Sequence, residues 1–293
     1  MLIARLAHIL VSKPSAVCIH IHLFKNAGST VDWILRRSFG GRFQRFDRLD
    51  DPANIYTGHD LERYLHKNPR ALAVSSHQLR FPLPEIPCTR LFPIVFIRHP
   101  LDRALSVYSF ERRQGGIAPG NLKAMMSSLE GYLRWRLSQH AAGVVTNFQV
   151  LSLSWYHGIL RENDRLDERH LATAWERLRG CAVAGVVERF DESLVAAEWI
   201  LKPFHPALDM AYRPQNVTPG RLRSREERIA SGRREIGRAL FDRIETLNDL
   251  DLELYHLANE ELDRRIALIP DFETRLEAFR ERCRQLRSRH ERR

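Results

Sequence analysis

The sequence predicts an α/β fold, a parallel sheet flanked by helices and followed by a helical C-terminal extension. Short apolar runs alternate with longer segments of helical periodicity, which is typical of a parallel sheet with helices on both faces. In addition, Lys25, His77 and Arg98 each come just after the end of an apolar run. Because ligands of such sheets bind at the carboxyl ends of the strands, we expect these three residues to line one pocket.

The elements follow from the pattern in chain order. The apolar runs 17–23, 71–75, 94–97 and 181–187 predict strands. Helical periodicity, with Gly or Pro at most of the ends, predicts helices over 31–39, 60–68, 100–113, 121–141 and 167–179. A further helix has Asp191 as a plausible N-cap, a loop rich in Pro and Gly covers 203–222, and charged helices run from 224 to about 266.

Composition limits the class of protein. The 293 residues, with 44% hydrophobic and 28% charged content, predict one domain over 1–270, followed after Pro270 by a basic helical tail, 271–293. The net charge of +10 suits a phosphorylated ligand and an anionic acceptor, but it suits nucleic acid equally well.

Cysteine usage and the N-terminus predict the compartment. Four scattered cysteines without metal-type spacing indicate a reduced, cytoplasmic location and no metal site. The apolar start MLIARLAHILV is interrupted by Arg5 and His8 and is too short to cross a bilayer, so we expect no signal peptide and no transmembrane segment. The sequence does not indicate the oligomeric state.

The stretch 25–30, Lys-Asn-Ala-Gly-Ser-Thr, links the first predicted strand to the first helix. This strand–loop–helix layout is typical of a phosphate cradle, because the first amides of the helix lack intrahelical partners and the helix dipole favours an anion. Gly28 would let the backbone approach an oxyanion, and Lys25 would add a positive charge. The order of residues fits a Walker A motif poorly, and an ordinary strand–turn–helix is the alternative. We predict a P-loop-type sheet.

A second stretch, 94–108, repeats the arrangement at a later strand. The strand ends at Arg98, Pro100 begins a helix at a position where its missing N–H costs nothing, and Ser106 lies further along that helix. Arg98 and Ser106 could hold one anion together if this helix packs against the strand end.

Together and in this order, the two stretches resemble the sulfotransferases that use 3′-phosphoadenosine 5′-phosphosulfate (PAPS). The family motif K-x-x-G-[ST]-[ST], which binds the 5′-phosphosulfate, matches Lys25, Gly28, Ser29 and Thr30, with Asn26 and Ala27 between. The motif R-x-P-x-x-R-x-x-x-S-x-Y, which binds the 3′-phosphate, matches Arg98, Pro100, Arg103, Ser106 and Tyr108. The resemblance covers about residues 17–265 and implies PAPS as donor, no metal, and a hydroxyl of a carbohydrate as acceptor.

His77 is the candidate general base. Sulfuryl transfer to a hydroxyl needs a group that takes the acceptor proton, and histidine titrates near neutrality. The family carries a catalytic His after the strand that precedes the Arg-Pro strand, and His77, followed by a Pro-containing loop, matches that position. His59 is the fallback. Lys25 would stabilise the charge that builds on the leaving phosphate, and Arg221 corresponds loosely to a late loop that closes over the nucleotide.

Two other functions are compatible with parts of the sequence. A P-loop kinase for a small molecule would need a Walker A lysine and a Mg²⁺-binding carboxylate at a strand end, and neither is evident. A non-catalytic basic protein would bind nucleic acid or an anionic polymer through its Arg-rich C-terminus. We regard nucleic acid as the weaker interpretation, because it leaves both phosphate motifs unexplained.

Overall fold

The structure is a computed structural model that describes residues 15–48, 50–51, 54–138, 142–154, 166–215 and 224–291. Its sheet has five strands, all parallel, in the order β2-β3-β1-β4-β5. The strands are β1 (Ser15–Ile21), β2 (Phe43–Arg45), β3 (Ala73–Ser76), β4 (Thr89–Ile97) and β5 (Val183–Val186). The α/β fold with a parallel sheet is therefore confirmed.

Helices flank the sheet and form the C-terminal region. The first eight are α1 (Gly28–Phe39), α2 (Gly58–Lys67), α3 (Pro100–Gln114), α4 (Pro119–Met126), α5 (Leu129–Ser138), α6 (Phe148–Ser154), α7 (Glu168–Arg179) and α8 (Phe190–Leu201). The last four are α9 (Arg225–Ile236), α10 (Arg238–Thr246), α11 (Asp249–Ile266) and α12 (Phe272–Glu291). Each described helix is too short or too polar to cross a bilayer.

The strand order creates a crevice at the carboxyl edge of the sheet. Strand β1 lies between β3 and β4, pairing Cys18 with Ala73 on one side and with Phe92 on the other. The chain leaves β1 toward the β2 edge, whereas β4 leads to the opposite edge at β5. The connections therefore diverge between β1 and β4, and open α/β sheets bind ligands at such a switch point.

The core lies on both faces of the sheet. Because side chains alternate along a strand, Ile19 packs on the face covered by α11, with Leu254, while Cys18 packs on the other face with Ile34 and Phe279. A third apolar cluster joins α3, α5 and α10. Helices on both faces explain why β1 is apolar at nearly every position.

The structure differs from the predicted elements in several respects. The described part of the predicted helix 121–141 belongs to two helices, α4 and α5, which are separated by Ser127 and Ser128. Asp191 lies inside α8, which begins at Phe190, and so does not cap it.

The edge strand β2 lies in a stretch for which the sequence predicts no regular structure. Its three residues, Phe-Gln-Arg, are too few to show the alternation of apolar and polar side chains that indicates a strand. The charged segment from 224 to 266 forms three helices instead of one run. It is interrupted at Gly237, which has a positive φ of 78°, and again at Asn248, the residue that precedes α11.

The helix α12 belongs to the same packed body as the sheet. Leu276, Phe279 and Cys283 are buried in the cluster that also contains Ile34. Arg282 reaches back to Glu198, at 3.1 Å, and also pairs with Asp209. The segment 271–293, which the sequence predicts to be a basic tail, thus contains a helix that packs into the apolar cluster on one side of the sheet, and part of its charge is paired with carboxylates.

The packing of α12 predicts a large effect of one substitution. Phe279 is fully buried, so Phe279→Ala should lower the free energy of unfolding by about 3–5 kcal/mol, as expected for loss of a core aromatic side chain. Urea denaturation measures this. Arg284→Ala, which removes only an exposed pair with Glu281, is the control and should stay within about 0.5 kcal/mol of the wild type. Equal stability of both variants would contradict the packing of α12.

Candidate functional site

A cavity of about 950 Å³ opens at the carboxyl edge of the sheet, in the size range of about 300–1,000 Å³ that is usual for small-molecule sites. Most of the residues predicted from the sequence line it: Lys25, Ala27, Gly28, Ser29, Thr30, His77, Arg98 and Ser106. The exceptions are Asn26, whose side chain is buried behind the loop, and Arg221, which lies outside the described residues. The topology therefore brings together three segments that are far apart in the chain.

The loop between β1 and α1 has the backbone of an anion-binding turn. Lys25 and Ala27 both have positive φ, 67° and 61°, and turns of this kind point successive N–H groups into one concavity. Ala27 precedes α1, no side chain caps the helix, and its first turn contains no acidic residue. The first amides of α1 and the positive end of its dipole thus face the cavity without a protein anion.

Asn26 anchors this loop instead of lining the cavity. Its side-chain Nδ2 donates to the Phe96 carbonyl and to Gln149 Oε1, both at 2.7 Å. Gln149 Oε1 also accepts from the backbone N–H of Arg98, at 2.8 Å. One buried amide, from a helix to which the sequence assigns no site role, therefore ties the loop after β1 to the end of β4.

Gly28 is required for a different reason than the one the sequence suggests. A Cβ on Gly28 would lie 2.1 Å from two atoms of the His22 imidazole. The glycine lies in helix α1, where any residue could adopt the backbone. The ring of His22, not the turn, is what leaves no room for a side chain here.

Other loop residues point polar groups at the cavity. The ammonium group of Lys25 lies 4.2 Å from the centre of the Phe110 ring, a cation–π contact that holds it against the cavity wall. Thr30 Oγ1 accepts the backbone N–H of Gln215 at 3.2 Å, which joins α1 to the late loop. Ser29 lies half-buried in the cavity wall.

Arg98 is held in place by a carboxylate and a carbonyl. Its Nε and Nη2 donate to one oxygen of Asp102, at 3.0 and 2.8 Å, and its Nη1 donates to the carbonyl of Lys25, at 2.8 Å. Arg228 donates to the same carboxylate at 2.6 Å. Burial alone would raise the pKa of Asp102, but the Arg228 and Arg98 guanidinium groups hold it well below its usual range. Arg98 and Arg228 therefore share the Asp102 carboxylate, and the Glu188 carboxyl lies close enough to interact with all three groups.

Among the groups that contact Arg98 or its carboxylate partner, only Asp102 could be predicted from the sequence. It follows Arg98 by four residues, the spacing of neighbours on one helix face. Arg228 comes from α9, and no local pattern predicts that it meets them.

His77 lies across the cavity with its tautomer defined. Its Nδ1 is 2.9 Å from the carbonyl of His22, which can only accept, so Nδ1 carries the proton and Nε2 is left as the acceptor. Its backbone N–H donates to Asp47 at 2.7 Å. The ring is solvent-accessible yet enclosed by the cavity wall, and this burial, together with the neighbouring His22, lowers the pKa of His77 to about 4. His77 is therefore neutral at pH 7.

A stack of imidazoles lies behind His77. The His22 ring is 3.7 Å from that of His77 and 5.0 Å from that of His20, measured between ring centres. Burial is the main cause that lowers the pKa of His22. The buried carboxylate of Asp32 accepts from His20 and Ser75 on one oxygen and from His22 and Arg45 on the other.

The side chains of His20, His22 and Asp32 could in principle hold a metal ion, since their ligand atoms lie within 4.8 Å of one another. All four acceptor positions of the Asp32 carboxylate are taken by protein donors, however. The contacts fit a hydrogen-bonded support for the imidazole stack better than a metal site.

The two remaining walls differ in chemistry. Beyond β5 the wall is apolar and aromatic, made by Val187, Phe190, Tyr212 and Pro214, and the rings of Phe190 and Tyr212 are 5.0 Å apart. Around His77 the wall is cationic: Arg45, Arg48 and Arg80 line it beside Asp47. A planar apolar group suits the first wall, and a polar, hydroxyl-bearing molecule suits the second.

Comparison with known proteins gives a relative but no activity. No protein-family model matches the chain. An uncharacterized protein of Archaeoglobus fulgidus is 30% identical over 247 residues, which cover 82% of this chain and 94% of that protein. The chain belongs to the family of this archaeal protein. The match spans nearly the whole relative and is not limited to one motif.

The contact between Gly28 and His22 predicts a coupling in this family member. Gly28→Ala should lower the free energy of unfolding by more than 1 kcal/mol, because the new methyl group displaces a buried ring. In a His22→Ala background the same substitution should cost less than about half as much, so the double-mutant cycle should show a clear interaction energy. Chemical denaturation of the four proteins measures it. Additive effects would mean that Gly28 is required for the turn itself.

Proposed function

We propose that this protein is a PAPS-dependent sulfotransferase that transfers the sulfuryl group to a hydroxyl of a carbohydrate acceptor. One observation carries the proposal. A single cavity at the switch point of the sheet contains the two phosphate motifs and a neutral, oriented histidine opposite them. The motifs resemble those of the sulfotransferases, and their side chains and amides fit the charge of such a donor.

The donor would bind along the β1–β4 side of the cavity. The first amides of α1, with Lys25 and Ser29, would hold the 5′-phosphosulfate at the positive end of the helix dipole. Arg98 and Ser106 would hold the 3′-phosphate. Arg98 keeps N–H groups beyond those that bind Asp102 and Lys25, and no described residue hydrogen-bonds the Ser106 hydroxyl. The wall formed by Phe190 and Tyr212 would stack on the adenine.

The acceptor would lie against His77. Its hydroxyl oxygen attacks sulfur, the bond between sulfur and the 5′-phosphate oxygen breaks, and adenosine 3′,5′-bisphosphate leaves. His77 Nε2 takes the hydroxyl proton, while the His22 carbonyl keeps Nδ1–H in place as the ring becomes charged. Lys25 and the loop amides stabilise the charge that develops on the leaving oxygen, a role that preorganised dipoles perform without a metal.

The basic-protein alternative uses an Arg-rich C-terminus. Arg280, Arg282 and Arg284 in that segment each pair with a carboxylate, whereas Arg275 and Arg287 donate to backbone carbonyl groups. The kinase alternative keeps the anion-binding loop. Of the two carboxylates that line the cavity, Glu111 is paired with Arg136 and hydrogen-bonded to Tyr132, and Asp47 accepts from His77 and Ser76.

Nucleotide binding tests the function first. Adenosine 3′,5′-bisphosphate at about 100 times its Kd should stabilise the protein by about 2.7 kcal/mol, a shift of several degrees in Tm, whereas ATP with Mg²⁺ or a short RNA should not. Transfer of labelled sulfate from PAPS to a panel of saccharides then tests the reaction. Stabilisation by ATP with Mg²⁺ alone would favour the kinase.

A pair of serines on α3 makes this test specific. Ser106→Ala should weaken adenosine 3′,5′-bisphosphate by about 1.5–3 kcal/mol, the value of a hydrogen bond to a charged group, and leave adenosine 5′-phosphosulfate unchanged. Ser109→Ala is the control, because Ser109 donates to the Leu105 carbonyl and does not line the cavity. Equal losses for both nucleotides would argue against a 3′-phosphate at Ser106.

The state of His77 predicts a pH profile. His77→Gln should reduce turnover by roughly 10²–10⁴-fold and leave donor affinity nearly unchanged, because a base acts only on the acceptor. Protonation removes the acceptor lone pair, so kcat/KM should be flat near neutrality and fall as the pH drops toward the His77 pKa of about 4. In the variant this acid limb should disappear. A limb that persists there would assign it to another group; His59, the fallback from the sequence, is 90% exposed on α2 and does not line the cavity.

A further inference from the structure

An exposed apolar surface lies in the segment that follows α3 in the chain. The C-terminal end of α3 also borders the cavity. Eight large apolar side chains are exposed among the described residues, and four of them fall between positions 117 and 126. We call these four, Ile117, Leu122, Met125 and Met126, the apolar patch. Ile117 and Met126 are 91% and 84% exposed, so the patch is not the edge of a core.

The geometry of α4 places most of the patch on one helix face. Leu122, Met125 and Met126 are spaced as i, i+3 and i+4, which puts them side by side. The opposite face of the same helix is buried through Gly120, Asn121 and Ala124. Ile117 lies just before the helix. The helix is therefore fixed to the body by one side and presents apolar side chains to solvent on the other.

The stretch 112–129, which carries the patch, contains charges of one sign, and Glu130 directly after it pairs with Arg134. Arg112, Arg113 and Lys123 are the only ionisable residues between positions 112 and 129, and there is no Asp or Glu in that stretch. The two arginines donate to neutral groups, Arg112 to the Tyr108 hydroxyl and Arg113 to the Ser109 carbonyl. No carboxylate among the described residues pairs with either arginine or with Lys123. The three positive charges are thus available to an external anionic surface.

We propose that the apolar patch docks the protein on an anionic lipid bilayer. A small apolar surface rimmed by cations has the composition of interfacial membrane anchors, where the apolar groups enter the headgroup boundary and the cations meet the anionic lipids. A protein partner with an apolar face would not by itself need the cations. A second copy of this chain would bring three cations against three, which is unfavourable.

The position of the patch connects docking with the cavity. Ser106, Phe110, Glu111 and Gln114 of α3 line the cavity, and Ile117 comes three residues after Gln114. Gln114 is itself exposed, so the cavity reaches the surface beside the patch. Docking would therefore present the cavity close to the bilayer. The inference is independent of the reaction that the cavity performs.

Vesicle sedimentation of the full chain tests this proposal. The protein should pellet with phosphatidylcholine vesicles that contain about a third phosphatidylserine, and not with phosphatidylcholine alone, and salt should weaken the binding. Ile117→Ser with Met126→Ser should reduce the partition coefficient at least tenfold. Arg112→Gln with Arg113→Gln should reduce it about twentyfold or more, since each cation near the surface contributes roughly fivefold.

Matched controls distinguish the effect of the patch from the general effect of removing exposed charges or exposed apolar side chains. Leu268→Ser removes another exposed apolar side chain, and Arg238→Gln with Arg284→Gln removes two exposed cations elsewhere. Both should bind vesicles like the wild type, and all variants should melt like it. Absence of binding, or equal loss in the controls, overturns the proposal. Concentration-dependent dimers that Ile117→Ser with Met126→Ser abolishes, without vesicle binding, would make the patch a contact between copies and overturn it too.

Discussion

The side-chain amide of Gln149 is the contact on which the site depends. It is fully buried, and it accepts from Asn26 and from the Arg98 N–H while its Nε2 donates to the Arg98 carbonyl, all at 2.7–2.8 Å. Asp251 in turn accepts the backbone N–H groups of Gln149 and Val150, so α11 holds the helix from which the amide projects. Because an unpaired buried polar group costs about 1–3 kcal/mol, the paired groups of this network fix the distance between the ends of β1 and β4, although Asn26 Oδ1 has no hydrogen-bond partner among the described residues. The C-terminal helices thus help to build the cavity although none of their described residues lines it.

This anchoring explains how the loop between β1 and α1 can form without an opening glycine. Positive φ at Lys25 and Ala27 is strained, at a cost on the order of 1–3 kcal/mol for each non-glycine residue. Such a conformation persists where the surroundings determine it, and the side chain of Asn26, clamped by β4 and Gln149 between the two strained residues, does so. The Arg98 guanidinium adds a second clamp by donating to the Lys25 carbonyl. The two predicted phosphate motifs therefore support each other mechanically as well as sharing one cavity.

The sequence predicts what is encoded locally and misses what is assembled at a distance. The apolar runs, the turn at Lys25 and the helix that begins at Pro100 are local patterns, and they were sufficient to predict the α/β fold and part of the lining of the cavity. Strand β2 was missed because three residues at a sheet edge are too few to show a periodic pattern of apolar side chains. The clamp by Gln149 could not be predicted, because its partners are more than 50 residues away and a buried glutamine leaves no signature in a single sequence. The contact between Gly28 and His22 is local in the sequence, and it was missed because the spacing between a strand end and the next helix does not determine which side chains meet.

The electrostatics of the cavity relate anion binding to the state of the base. In the structure His77 is neutral because burial and the adjacent His22 disfavour its charged form, and a pKa of about 4 makes it a weak base. Asp32 and Asp47 act in the opposite direction, and their effect is smaller. An anion in the cavity would join those two carboxylates on the side that favours the imidazolium, which raises the pKa of the base only once the anion is present. Under the proposed function, the donor itself would bring the basicity of His77 closer to neutrality, where proton acceptance is more effective. His77 would be neutral, with a fixed tautomer, before the anion binds, and it would be a stronger base afterwards. Proton transfer would then be coupled to occupation of the loop between β1 and α1.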